Sequence, residues 1–199
     1  LGTKFGPSTV NLDGDGNIVT INGTMNSAIS LEGGYTELYV NNGTVNVVDA
    51  GDYAAGATNN SHFYVASGAT MAVSGDMLAW RAPTGGRDAL LVDGTLTTTG
   101  KLIIDDNNRF RMTDGSVVTA EGVAEFVNTT QAEIDGGTLT ADGILFRHTD
   151  DTFNFNGGRI NLDQDALAAI IEIQDAIASF VSFNDNGSGG YDGVLFVDN

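Results

Sequence analysis

Seven times along this chain a glycine follows a short alternating apolar run and precedes a small or polar residue. These are Gly23, Gly43, Gly68, Gly94, Gly115, Gly137 and Gly158, at intervals of 20, 25, 26, 21, 22 and 21 residues. A second glycine follows six to eight residues later at Gly51, Gly75, Gly100, Gly122 and Gly143. A repeat of this period constrains a fold more than any composition does, because each unit must place equivalent residues in equivalent surroundings.

The chemistry within a unit is uniform. Alternating apolar residues such as Phe110 and Met112, or Phe153 and Phe155, precede the glycine. Period two puts them on one face of a strand. The turns are Asn-Gly, Asp-Gly, Ser-Gly or Gly-Gly, residues that accept positive φ. Thr or Ser and then Val, Leu or Ile follow, which suit a pleated, half-buried surface. A β-meander or sandwich would also show such turns, but at 8 to 12 residues and with no reason for one recurring pattern. The expected fold is therefore all-β: a parallel β-helix, or solenoid, of about seven coils.

One domain is expected, in four parts. Residues 1–17 depart from the repeat and read as an N-terminal arm or cap. The solenoid spans 18–162. Within it, residues 49–61 and 78–88 are long interruptions, and the second holds the only Trp, Trp80, with Arg81 and Arg87. In residues 163–183, Leu167, Ile170, Ile171, Gln174, Ile177 and Val181 fall at helical spacing, a face apolar apart from Gln174. Asp163 or Asp165 can serve as N-cap, so one amphipathic helix capping the open end is expected. Residues 184–199 form a turn and a terminal apolar strand. The chain begins at Leu1, and processing of a precursor is the expectation.

Charge narrows the partners. Eight Lys and Arg stand against 26 Asp and Glu, a net charge of −18. That opposes nucleic acid and anionic membrane surfaces. No long apolar run is present, so no membrane-spanning helix is expected. The absence of cysteine removes disulfide and thiolate chemistry. Acidity of this size can recruit Ca²⁺, though no cofactor is required by the pattern and solubility explains the charge. Asp13, Asp15 and Asn17 begin like a calcium loop, but Ile18 and Thr24 stand where an EF-hand needs Gly and Glu, so a turn is expected. Asp93, Asp114 and Asp135 share one repeat position and would form a ladder of corner carboxylates. His148, beside Asp150 and Asp151, has no partner at ligand spacing. Sequons at Asn22, Asn42, Asn59, Asn128 and Asn186 include Asn-Gly-Thr and Asn-Gly-Ser cases that turn preference alone would produce.

The series DGTLTTTGKLII, DGSVVTAEGVAEF, GGTLTADGILF and FNFNGGRINL resembles the G-G-T-L-x-V-x-G repeats of autotransporter-associated and exported bacterial β-helix proteins. It is similar to many planctomycete and verrucomicrobial surface proteins. The resemblance covers roughly residues 18–183. It implies export, a right-handed parallel β-helix, and a structural or adhesive role at the cell surface or outside it. It carries over no catalytic residue.

No convergent acid, base and cation set is visible, so no enzymatic activity, no catalytic residue and no metal ligand is expected. The leading expectation is an extracellular structural subunit that self-assembles into a filament or surface layer. Its terminal strands, Val10 and Leu12 at one end and Val194, Leu195, Phe196 and Val197 at the other, would pair with neighbouring subunits. Two other readings stay open. One is a calcium-dependent adhesin or glycan-binding module with Trp80, Arg81 and Arg87 as contacts, although packing of Trp80 on the adjacent coil is the preferred account of that residue. The other is a polysaccharide-active β-helix, which would need two facing carboxylates or a basic residue beside calcium ligands.

Overall fold

The computed structural model of the chain describes residues 9–12, 17–23, 25, 28–31, 35–50, 60–80, 88–105, 109–127, 130–148, 151–163, 170–173, 181–183 and 193–198. They form a parallel β-solenoid with three faces around one core. The first face stacks eight strands: Asn17–Asn22, Tyr35–Asn42, Asn60–Val65, Leu90–Val92, Arg109–Met112, Gln131–Ile134, Thr152–Phe155 and Val181–Phe183. The second face runs Thr70–Val73, Thr95–Thr98, Val117–Ala120, Thr138–Ala141, Gly158–Asp163 and Gly193–Asp198. The third runs Met77–Trp80, Leu102–Asp105, Ala124–Val127, Gly143–Phe146 and Ile170–Ile173. Thr44–Ala50 is long enough to pair with strands of both the second and third faces. Five turns, from Asn60 to Ile173, carry all three strands.

Alternation fills the interior. Leu96, Val118, Leu139 and Ile160 are in register on the second face and all are buried. Phe126 lies in register with Phe146, ring centroids 5.2 Å apart and nearly parallel. Phe110 and Phe153 extend this aromatic column at 6.0 and 5.5 Å. Burying such a ring contributes about 1.5–3 kcal/mol, and aromatic pairing adds about 0.5–1.5 kcal/mol.

The four coils from Asn60 to Phe146 each have two glycine corners and one polar corner. Gly68, Gly94, Gly115 and Gly137 turn the chain from the first face to the second, and Gly75, Gly100, Gly122 and Gly143 from the second face to the third. These first corners come in two kinds. At Ala66–Ala69 and Thr113–Ser116 a β-turn closes with an N–H to carbonyl bond of 2.9 and 3.2 Å, leaving one extra buried residue, Ala69 or Ser116. The coil above each of these turns makes a tight corner. A Cβ added at Gly94 would lie 2.2 Å from the Ala66 carbonyl oxygen and 2.5 Å from that of Ala69. One added at Gly137 would lie 2.3 Å from the Ser116 carbonyl oxygen. Strand register therefore pairs Thr70 with Thr95 and Thr95 with Val117, one residue away from an alignment made on the glycines.

The segment 163–183 departs from the expected helix. Ile170–Ile173 and Val181–Phe183 are strands, paired in parallel with Gly143–Phe146 and Thr152–Phe155. Ile170, Ile171, Ile173 and Val181 are β-branched, and the preceding coil offers a row of unpaired backbone groups. That edge outweighs helical spacing. Residues 164–169 and 174–180, including Leu167 and Ile177, lie outside the described residues. The terminal segments are also placed. Thr9–Leu12, carrying Val10 and Leu12, pairs with Ala28–Leu31, and Gly193–Asp198 pairs with Gly158–Asp163. Trp80 ends the strand Met77–Trp80, in register with Asp105, where a loop beginning at Leu78 was expected. The strand thus runs three residues into the expected loop, with Met77, Leu78 and Ala79 all buried.

Gly94→Ala should lower stability by about 1–3 kcal/mol, since backbone and not a flexible side chain must yield. Gly115 has φ +77° and open space around it, so Gly115→Asn should change stability by only a few tenths of a kcal/mol, about what a residue tolerant of this region costs. Urea denaturation of the two variants checks the contrast.

Candidate functional site

The third corner, from the third face back to the first, is where coils differ. It takes three residues between Asp105 and Arg109, three between Val127 and Gln131, and five between Phe146 and Thr152. It takes nine between Ala50 and Asn60, and nine between Trp80 and Leu90. Both long insertions therefore enter the first face on consecutive coils, at Asn60–Val65 and Leu90–Val92.

Outward positions beside these entries carry a mixed aromatic and charged cluster. Inward Leu38 and Val40 set Tyr39 outward, and Phe63 and Val65 do the same for His62 and Tyr64. Tyr39, Tyr64, Leu91, Arg111, Glu133 and Asn154 form one row in register. The Tyr39 ring lies 5.3 Å from His62 and 6.3 Å, edge to face, from Tyr64.

Two carboxylates organise the cluster. Asp88, buried, accepts a hydrogen bond from Arg109 Nε at one oxygen and lies 3.8 Å from Arg111 Nε at the other. Its carbonyl receives the N–H of His62 Nδ1. Asp93 accepts the Tyr64 hydroxyl at 2.9 Å and the Thr113 hydroxyl at 2.7 Å. Burial, and then the bond to and charge of Asp93, push the Tyr64 phenol up, so it stays a donor. Arg111 Nε is buried and makes no hydrogen bond, while its side chain is one-third exposed. Each carboxylate already accepts bonds, an arrangement suited to holding groups in place.

The expected acid ladder does not form. Backbone register sets Thr113 between Asp93 and Asp135, because Asp114 belongs to the inserted β-turn. The column alternates instead, with Asn156 Nδ2 donating to Asp135 at 2.8 Å. Among the described residues no group of three His, Asp or Glu side chains is placed to hold a metal ion. On the third face, Lys101 and Arg147 both reach Glu125, at 3.5 and 2.8 Å, cross-coil pairs of modest strength. Arg81 and Arg87 lie outside the described residues.

Asp151 occupies the corner position equivalent to Asp88, two coils on from Arg109–Met112. It is fully buried and accepts backbone N–H bonds from Thr130 at 2.7 Å, His148 at 2.8 Å and Arg147 at 3.1 Å. Burial pushes its carboxyl above the usual range, opposed by those three bonds and by the charge of His148. The cluster around Tyr64 was not singled out by sequence reasoning. Its signal was the residue four before most corner glycines, which gives Tyr39, Tyr64, Arg111, Glu133 and Asn154. No protein-family model matches the chain, and neither a curated protein nor a solved structure does.

Asp151→Ala should cost on the order of 2–4 kcal/mol by leaving three N–H groups without their acceptor. For the milder Asp151→Asn, the sign with pH is fixed. A raised folded pKa means that the native state holds the extra proton, so the wild-type advantage is full below the unfolded pKa of about 3.9 and shrinks as pH rises through the folded value. Denaturation midpoints of both proteins between pH 3 and 7 test this; an advantage that grew with pH would contradict it. Asp88→Ala should cost about 1–3 kcal/mol, discounted because both arginines are partly exposed, and calorimetric melting reads that loss.

Proposed function

We propose that this chain is an extracellular structural solenoid of about seven coils that assembles head to tail into a filament or surface layer. What supports the reading is the pairing at its two ends. Among the described residues, Thr9–Leu12 and Asn17–Asn22 at one end each have a partner on one side only. So do Ile170–Ile173, Val181–Phe183 and Gly193–Asp198 at the other. Parallel edges of this kind are templates for a further strand. A contact between two different ends does not close on itself and propagates as a filament.

The mechanism differs from donation of a loose strand. Val194, Leu195, Phe196 and Val197 already lie opposite Arg159, Ile160, Asn161 and Leu162. The contact would be the outer edge of Gly193–Asp198 and its neighbours against the first strands of the next subunit. The acidic surface and the repeat's likeness to exported β-helices support a place outside the cell.

On the second face Thr95 donates its N–H back to Ala69, and Val117 donates back to Gly94. In a parallel ladder consecutive residues alternate their bonding sides, so Leu195 directs its N–H toward the next subunit. Leu195→Pro should abolish assembly, read by light-scattering mass and negative-stain electron microscopy, with a melting curve to confirm that the variant folds. Wild-type monomers at every concentration, or filaments undiminished in a folded Leu195→Pro, would reject the mechanism.

A further inference from the structure

We propose that the outward surface of the first face, around Tyr39, Tyr64, Asp93 and Arg111, is a calcium-independent binding site for an uncharged polysaccharide. This surface is separate from the end edges and does not depend on assembly. Three observations converge on it.

The first is position. In repeat scaffolds, insertions gather on one side, often the binding side. Here both nine-residue corners open onto the strands that carry Tyr64 and Leu91. The second is composition. The second face presents Thr70, Thr95, Val117, Thr138 and Arg159 at the equivalent outward positions, with no aromatic and a single charge among them. The first face instead presents two tyrosines on adjacent coils, followed by Leu91 and then Arg111. Pyranose rings offer apolar C–H patches that lie against aromatic rings, and hydroxyls that pair with planar polar groups such as carboxylate and guanidinium. The rise from coil to coil, about 4.8 Å, is close to the length of one pyranose along a chain. Adjacent coils could thus meet adjacent sugars.

The third observation is the state of the polar groups. Tyr64 is fixed by its bond to Asp93, and Asp93 is fixed again by Thr113. A sugar meeting these groups orders little that is not already ordered, which lowers the entropic cost of binding. Arg109 is committed to Asp88, whereas Arg111 has a 3.8 Å ion pair, no hydrogen bond at Nε and one-third of its side chain exposed. The Arg111 Nε is buried beyond a ligand's reach, so the exposed third of the side chain is the part that can meet a ligand hydroxyl. Charge selects the class. Arg109 and Arg111 are offset by Asp88, Asp93 and Glu133, on a chain of net charge −18, so a polyuronate would be repelled. Asp88 and Asp93 are satisfied by protein groups, and so the site needs no bridging Ca²⁺.

Titration calorimetry with neutral hexasaccharides of the gluco, manno and xylo series, each run with EDTA, tests the site whatever the assembly state. Trigalacturonate serves as the charged control. Binding of at least one neutral hexasaccharide is expected, with trigalacturonate at least tenfold weaker. Tyr64→Ala and Arg111→Met should each weaken it at least tenfold, while Tyr64→Phe keeps most of it and Thr97→Ala on the second face leaves it unchanged. Heat from none of the neutral sugars would overturn the proposal. So would binding only to trigalacturonate, binding abolished by EDTA, or binding intact in a folded Tyr39→Ala/Tyr64→Ala variant.

Discussion

Between Leu96 and Val118, and again between Val118 and Leu139, the chain lays one strand in register on the last. That parallel backbone ladder is what the remainder of the molecule depends on. It leaves each coil unable to bury its inner residues alone, and it forces like positions to stack on like. The consequence is a core made of columns, such as Leu96, Val118, Leu139 and Ile160, in which each side chain is covered by residues from the coils on either side. Stability then accumulates by nearest-neighbour terms.

The corners divide the labour. Two of the three are built from glycine and leave little room for change where the preceding coil passes within contact distance, as at Gly94, Gly100 and Gly137. The third is polar and tolerates lengths from three to nine residues. Buried Asp88 and Asp151 do the same structural task there by different means. Asp88 gathers side chains, tying Arg109 and approaching Arg111, whereas Asp151 gathers backbone N–H groups. The adjoining outward surface inherits a rigid frame together with variable loops, the combination on which binding sites are usually found.

The solenoid was legible in the sequence because its period and alternation are long-range regularities that local preference cannot imitate. Register was not, since aligning on glycine treats Gly94 and Gly115 as equivalent although one sits in a tight corner and the other in a β-turn. The same one-residue offset misplaced Asp114 in a column that in fact runs Asp93, Thr113, Asp135. The segment around Ile170–Ile173 misled for another reason. Ile171 and Ile173 satisfy period two as well as Ile170 and Ile177 satisfy the helical spacing, and only the waiting edge of Gly143–Phe146 decides between them. The cluster around Tyr64 was hidden because its members lie 21 to 29 residues apart. Such residues become neighbours only once the ladder is drawn.

The alternation of corner types has a further meaning. The β-turn at Ala66–Ala69 sits beneath the tight corner at Gly94, and the turn at Thr113–Ser116 beneath the one at Gly137. Each turn needs a glycine directly above it, and a β-turn stacked on a β-turn would set two bulges against one another. From Asn60 to Ala141 turn and tight corner therefore alternate as pairs of coils, and beyond them the tight corner at Gly158 stacks on its like at Gly137. An engineer who duplicated a β-turn coil alone would set turn on turn at the seam, whereas a tight-cornered coil copied alone would meet its like as Gly158 already meets Gly137.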